Sequence, residues 1–535
     1  MTRPGFRRLV AAGFALALSV PAMAGAKAAP RGVLADSVIA IGGSLLHRAD
    51  IGILAVSLDK GDTLVAYSEG RRLIPGSNAK LFTNGAFLVQ FGTDYRRATS
   101  IDARGKASLK DSGRRVRLDG DLILRGSGMP DVTQILSPGS RGLLDSLAYL
   151  LHDGGLERFE GTVWVDGSLF ATEPYAPGWA MEDYVYAYGA PVNAILANGN
   201  AATVVATSTG KGDEVTLELD PPEAPLRVRG KVDVVASGSG RLDVSRAFGS
   251  RVVEVWGTVP RGGVTKKQVA IPDPDSTAGL YLLGALRRAG IEVKASVRVL
   301  PSPGSPEWAR LAPLARKDLS MSTAFTPDAG RWKGVSKDAA TPVVSLLSPP
   351  AAQMVSAVNE LSLNGETEAL LRNLVDGTGK ERVPALSRLY EIVGRSGVDT
   401  LDLSLVDGSG LSPMDLVTPR AVVTWLTWLD REPKVGPAFR DGLAGPGLLG
   451  TLKNRFGGAE GGVHIRGKTG TLTNVSALSG YVTTESGERI VFSSIANGNR
   501  GTVAPARDFE DRFVRLLSRY KREMVPARRP GSIPR

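Results

Sequence analysis

The chain has 535 residues, 42% hydrophobic and 22% charged, enough for two or three domains with sizeable cores. It contains no cysteine, which excludes disulfides, a thiol nucleophile and thiolate metal sites. The formal charge is +11, and the three histidines, His47, His152 and His464, show no ligand spacing, so no metal or cofactor is expected.

The first 24 residues read as a secretory signal. Arg3, Arg7 and Arg8 form a basic start, Leu9 to Val20 a short apolar run, and Ala22-Met23-Ala24 a small-x-small cleavage site. The run is too short for a comfortable membrane span, and no later stretch reaches spanning length. The expectation is an exported, soluble mature protein, periplasmic, or extracellular in a Gram-positive source. Its charge falls from +11 to +8 once the three arginines of that segment are removed. Such a balance suits an anionic polymer. Export points away from nucleic acid and leaves cell wall or lipid headgroups. The basic tail 523–535 is a candidate for peripheral contact with such a surface, against the plainer reading of a solvated charge run.

Ile51 to Leu58 and Thr63 to Tyr67 are predicted strands around the turn Asp59-Lys60-Gly61-Asp62. From Asn78 to Gln90 the pattern becomes helical, so Ser77 is expected where a loop enters a helix. Free N–H groups and the helix dipole favour negative charge there. Residues from about 96 to 315 are mostly strand-like: Val116 to Leu118, Leu122 to Leu124, Thr162 to Val165, Val215 to Leu219 and Val252 to Val259, separated by Gly, Pro, Asp and Ser turns. One helix interrupts them, Thr277 to Ala289, and Ser302 to Pro306 resembles a linker. Helical character returns at Pro349-Pro350, with Met354, Val355, Val358 and Leu361 on one face. A second helix is predicted over Glu366 to Val375, which leaves Ser362-Leu363-Asn364 in the joint. Another helix covers Pro419 to Leu429. The strands 463–472, 477–484 and 489–497 and a closing helix over Asp508 to Tyr520 follow.

Strands near both ends with helices between them predict an α+β fold: one antiparallel sheet packed with helices, interrupted by large mostly-β inserted domains. The expected division is 30–95 plus 318–522 for a discontinuous catalytic unit, 96–175 plus 266–317 for one inserted domain and 176–265 for another.

Three short motifs carry the chemistry: Ser77-Asn78-Ala79-Lys80, Ser362-Leu363-Asn364 and Lys468-Thr469-Gly470. Ser-x-x-Lys occurs at four places, Ser57/Lys60, Ser77/Lys80, Ser208/Lys211 and Ser518/Lys521. Only Ser77 stands at a turn before a helix, where residues three apart share a face and Lys80 can reach its hydroxyl. Taken singly, Ser362 reads as a helix cap and Lys468 as a strand lysine; three motifs in order, each in a fitting context, are much harder to obtain by accident. A serine hydroxyl needs a base to take its proton. A lysine serves if burial and nearby cations hold its amine partly neutral. Ser362 can relay a proton to the leaving amine, and Asn364 can bond the substrate amide. Lys468 supplies fixed positive charge, and Thr469 and Thr471, flanking Gly470, offer hydroxyls to a carboxylate. The N–H groups of Ser77 and Thr471 are candidates for an oxyanion hole. A Ser-His-Asp triad finds no Gly-x-Ser-x-Gly elbow in support.

With these residues the chain resembles the low-molecular-mass class C penicillin-binding proteins, the D-alanyl-D-alanine carboxypeptidases/endopeptidases of the penicillin-binding protein 4 type. The likeness covers most of the mature chain and extends to Asp407-Gly408-Ser409-Gly410-Leu411-Ser412 and Ala176-Pro177-Gly178-Trp179. The 281 residues between Lys80 and Ser362 are similar to that family's two extra domains. The resemblance implies a β-lactamase/transpeptidase-like domain, cleavage of D-Ala-D-Ala and D-Ala-meso-diaminopimelate bonds in peptidoglycan stem peptides, and acylation by β-lactams. The chain departs from it at Leu363, where Asp or Asn is common, and at Pro413-Met414-Asp415, where Arg and Asn are often found. Two other readings stand beside it: a serine β-lactamase, against which length and the insertion argue, and a catalytically weak peptidoglycan-binding scaffold of the same fold. Oligomeric state is left open.

Overall fold

The computed structural model describes residues 31–111, 114–170, 173–301, 311 and 323–522. The expected secretory segment, the linker Ser302 to Pro306 and the basic tail 523–535 lie outside the described residues.

The two ends of the chain build one five-stranded antiparallel sheet, in the order His464–Leu472, Val475–Thr483, Arg489–Asn497, Asp50–Ser57, Thr63–Tyr67. Asp50 faces Asn497 and Ser57 faces Ile490, so the first and last strands of the catalytic unit are zipped side by side. The central strands are buried on both faces because helices cover both. Side chains alternate between the two layers. Ala477, Val491 and Ile495 point to one core, shared with Phe82 and Phe87 of helix Lys80–Phe91, Met354 of Ala351–Leu361, Leu389 of Arg382–Gly394 and Trp425 of Pro419–Arg431. Leu478, Ile490 and Phe492 point to the other, shared with Val38 of helix Ala35–Gly42 and with Phe509, Phe513 and Leu517 of helix Ala504–Arg519.

Among the described residues the intervening block carries three further sheets of three or more strands. A five-stranded mixed sheet runs Glu292–Val299, Leu156–Asp166, Arg115–Arg125, Ala98–Lys110, Thr341–Leu347. Two helices cover it: the expected one, Pro274–Arg288, and a second, Leu143–Asp153, that the strand-rich reading passed over. Two three-stranded sheets complete the block, Val264–Ala270 with Ala201–Ser208 and Val215–Asp220, and Arg227–Val235 with Val252–Pro260 and Arg241–Ser245. Thr341–Leu347 pairs with Ala98–Lys110, so by strand pairing the chain leaves this sheet after residue 347, later than the boundary at 318 expected from sequence. Its buried Val343 and Val344 belong to the core of the insertion. A small cluster, Phe170, Trp179, Leu196, Ala369 and Leu411, seals the insertion against the catalytic unit. Among the described residues no helix is long and apolar enough to cross a membrane.

Candidate active site

Ser77 lies on a tight turn, Gly76–Ala79, that leads directly into helix Lys80–Phe91, as its sequence context predicts. The turn is pressed against the edge strand His464–Leu472. Gly76 has φ of +51°, and a Cβ there would sit 3.0 Å from the backbone nitrogen of Thr471. A Cβ on Gly470 would sit 2.2 Å from the carbonyl oxygen of Pro75. Glycine at both positions lets two backbones approach closely enough to bring the third motif to the serine.

Lys80 is fully buried, and its Nζ donates to Ser77 Oγ at 3.0 Å, to Asn364 Oδ1 at 2.6 Å and to the Ser409 carbonyl at 2.6 Å. Burial pushes its pKa down to about 8, against the opposing pull of the carboxylates of Asp407, Glu368, Glu366 and Asp415. A measurable fraction of Lys80 is therefore neutral near pH 7 while it stays in hydrogen-bond reach of the serine hydroxyl.

Ser362 ends helix Ala351–Leu361 in the left-handed conformation, φ 61° and ψ 41°. That reversal turns the chain into helix Asn364–Arg372 and aims Ser362 at the cleft. Lys468 Nζ donates to Ser362 Oγ at 2.8 Å and to the Thr469 carbonyl at 3.0 Å. Lys468 is fully buried, and burial, with the charge of Lys80 behind it, drives its pKa well below the ordinary lysine range. Asn364 is already engaged on both sides of its amide: Oδ1 takes Lys80, and Nδ2 donates to the Tyr188 carbonyl at 2.9 Å. Leu363 packs against the catalytic core, so the departure from a polar residue removes no group from the contacts of Ser77, Lys80 or Lys468.

On the edge strand, Gly467 donates its N–H outward to the Ala444 carbonyl. The two-residue period of a strand puts the N–H groups of Thr469 and Thr471 on the same outer edge. Thr469 Oγ1 donates to Thr451 Oγ1 at 2.9 Å. Thr471 is exposed and its hydroxyl accepts from Arg507 Nη2 at 3.2 Å. The structure thus sets two hydrogen-bonded groups, Ser77 with Lys80 and Asn364, and Ser362 with Lys468, around one cleft, with Thr469, Gly470 and Thr471 on the edge strand beside them.

Sequence reasoning missed the shell beneath Lys80. Glu368 Oε1 accepts the backbone N–H groups of Gly408 and Ser409 at 2.9 and 2.8 Å, and burial raises its pKa to about 7. Asp407 accepts from Gly410 N at 2.6 Å, Ser412 N at 2.8 Å and Trp179 Nε1 at 2.9 Å. Asp415 Oδ1 accepts from Val406 N at 2.8 Å, and burial beside Asp407 lifts its pKa well above the carboxylate range. The departure at Asp415 therefore serves the loop that presents the Ser409 carbonyl. Arg507, Thr451 and Tyr188 were likewise missed. Only the run Asp407 to Ser412 signalled this shell, and a carbonyl contact such as that of Ser409 leaves no trace in residue identity.

The cleft above Ser77 has a volume of about 660 Å³ and is walled by Tyr188, Ser362, Asn364, Leu411 and Thr471, with Asp183 and Glu182 contributed by the insertion. Among the described residues no group of three or more His, Cys, Asp or Glu is placed to hold a metal ion.

The whole fold matches the crystal structure of penicillin binding protein 4 (dacB) from Haemophilus influenzae with a TM-score of 0.69. The match covers 90% of this chain and 99% of that one at 22% identity. A second structure of that protein, complexed with a novel β-lactam, matches with a TM-score of 0.65 over 90% of this chain and 100% of that one, at 21% identity. A transpeptidase-like fold around a serine joined to a buried lysine defines the class as a serine hydrolase. The sequence model of the D-Ala-D-Ala carboxypeptidase 3 (S13) family matches residues 36–320 and 330–520, and the chain belongs to that family. It is 28% identical over 531 residues to the D-alanyl-D-alanine carboxypeptidase of Actinomadura sp. (strain R39), spanning 95% of this chain and 88% of that protein. It is 24% identical over 498 residues to the D-alanyl-D-alanine carboxypeptidase DacB of Haemophilus influenzae, spanning 89% of this chain and 92% of that protein.

Proposed function

We propose that this S13-family hydrolase cleaves D-alanyl-D-alanine ends and D-alanyl crosslinks of peptidoglycan stem peptides through an ester on Ser77, and that β-lactams acylate the same oxygen. Neutral Lys80 takes the Ser77 proton as Oγ attacks the D-Ala carbonyl carbon. The N–H groups of Ser77 and Thr471 receive the developing oxyanion. The C–N bond then breaks, and the proton reaches the leaving amine through Ser362 and Lys468. Water afterwards attacks the ester, gives up a proton to Lys80 and returns Ser77 to its hydroxyl form. Lys468, Thr469 and Thr471, with Arg507 beside Thr471, receive the substrate's terminal carboxylate, and that negative charge draws Lys468 back to its cationic form. Asn364 acts first as a positioning residue, holding Lys80 against Ser77.

The observation that carries this reading is the fully buried Lys80 ammonium at 3.0 Å from Ser77 Oγ, with its pKa lowered to about 8. Export through the segment 1–24 places the enzyme on the wall side of the membrane, where the basic tail 523–535 meets an anionic surface. The test is labelling of the purified protein with fluorescent penicillin beside Ser77→Ala. A covalent band present in the parent and absent in the variant is expected; an unchanged band in the variant would remove Ser77 from the mechanism.

A further inference from the structure

A second cleft, of about 610 Å³, opens on the other side of Ser362 and Asn364. It shares Tyr188, Ser362 and Asn364 with the cleft over Ser77, so the two clefts adjoin at those three residues. Its outer walls belong to the insertion, through Asp131, Gln134, Tyr186 and the strand Val264–Ala270 at Lys266, Lys267 and Gln268.

The charge in this cleft is unevenly committed. Asp131 is used by the backbone, its two carboxylate oxygens accepting the N–H groups of Thr133 at 3.2 Å and Leu143 at 3.0 Å. Glu366 is buried, and burial shifts it toward the neutral acid. Lys267 stands over the ring of Tyr186, 5.1 Å from its centroid, and Tyr186 stacks on Tyr188 at 5.3 Å and 13°. A cation over a ring face is held in place while its charge stays available. Among the described residues neither Lys266 nor Lys267 makes an ion pair. The stacked tyrosines therefore hold an uncommitted ammonium in a cleft that adjoins the one over Ser77.

The position says which ligand would use it. A terminal D-Ala is a single residue, whereas the amine side of a crosslink is an entire second peptide that needs room beyond the Ser77 cleft, and the second cleft adjoins it. We propose that the second cleft is the subsite for this second strand, a carboxylate-bearing peptide whose carboxylate is received by Lys267 with Lys266 at the rim. The inference rests on the reading of Ser77, Lys80 and Ser362 given above. In the reaction it serves, the crosslink C–N bond breaks, the Ser77 Oγ–acyl bond forms, and the proton from Ser77 ends on the amine of the strand held in the second cleft.

The test compares the parent with Lys267→Ala and Lys267→Glu on two substrates: a stem-peptide dimer joined by a D-Ala-meso-diaminopimelate crosslink, and the monomeric pentapeptide ending in D-Ala-D-Ala. Penicillin acylation is measured alongside as a check that the Ser77 cleft is intact, with the exposed Lys231→Ala as control. Loss of one charge-assisted contact predicts about a tenfold fall in kcat/KM on the dimer for Lys267→Ala, and a larger fall for Lys267→Glu. Pentapeptide cleavage and acylation are expected to stay within about twofold. Equal losses on both substrates, or an unchanged dimer rate, would overturn the subsite. A parent that is acylated and cleaves the pentapeptide but not the dimer also overturns it while leaving the Ser77 reading in place; a parent that is not acylated overturns that reading itself.

Discussion

Lys80 and Lys468 bond to Ser77 and Ser362, two serines that line one cleft, and both lysines are fully buried, yet their surroundings differ in the supply of negative charge. Below Lys80 lie the acidic groups Asp407, Glu368, Glu366 and Asp415, whose ionised forms pull its pKa back up against burial to about 8. Lys468 rises from a sheet, and only burial and the repulsion of Lys80 act on it, both downward. Burial alone thus makes an unstable cation, and burial plus a nest of carboxylates makes a tunable base. In the mechanism proposed above, the first receives a substrate carboxylate and the second exchanges a proton with Ser77.

The difference is broken most severely by removing Lys80, the proposed base. Lys80→Met is expected to slow penicillin acylation by about a thousandfold or more, the usual scale of lost general-base catalysis compounded by loss of the Asn364 and Ser409 contacts; labelling at near the parental rate would show that another group takes the proton. On the opposite side, Lys468→Ala is expected to lower kcat/KM about a hundredfold for a peptide with a free terminal carboxylate, and by less for the same peptide ending in an amide. Equal losses on the two peptides would mean that Lys468 does not read that carboxylate.

Glu368→Gln sharpens the comparison. Gln keeps a carbonyl to accept from Gly408 and Ser409 but removes a charge that favours the Lys80 ammonium. Because a carboxylate neighbour raises a lysine pKa, its removal must move the rising limb of the acylation rate to lower pH. The change in rate at neutral pH is expected to stay below about tenfold. A limb displaced to higher pH would contradict the assignment. Trp179→Phe has the smallest effect. It deletes the indole donation to Asp407 at 2.9 Å and is expected to cost about 1–2 kcal/mol, measured by thermal unfolding, with acylation little changed.

Sequence and structure agree best where chemistry dictates residue type. Ser77, Lys80, Ser362, Asn364 and Lys468 stand out in the sequence because the proposed roles of nucleophile, base and proton relay each admit few side chains. The sheet strands Val475–Thr483 and Arg489–Asn497 are legible through their β-branched and aromatic residues, Val475, Tyr481 and Val482 in one and Ile490, Val491, Phe492 and Ile495 in the other. The strand Ala98–Lys110 is not, since its first half buries Thr99, Ser100 and Asp102 together with Ala98, Ile101 and Ala103, and its second half is largely exposed. Asp102 tolerates burial there through Arg125 at 2.8 Å, a pairing no local pattern discloses. The same holds for the carboxylates under Lys80. In the sequence Glu366 and Glu368 are two charges at the start of a helix, and only the packing of Asn364–Arg372 on Lys80–Phe91 turns them inward. Asn364 is the instructive intermediate. Its place in the site was readable, but its bond to the Tyr188 carbonyl depends on an insertion folding back from 176 residues away.

The most direct measurement is the pH dependence of penicillin acylation in the parent protein, followed as the second-order rate of label incorporation. A base with a depressed pKa predicts a rate that rises with pH and levels off with a midpoint at about 8, and Lys80→Met should abolish that limb. A rate that is flat through this range, or that rises only in the ordinary lysine range, would show that Lys80 is not the group that takes the proton from Ser77.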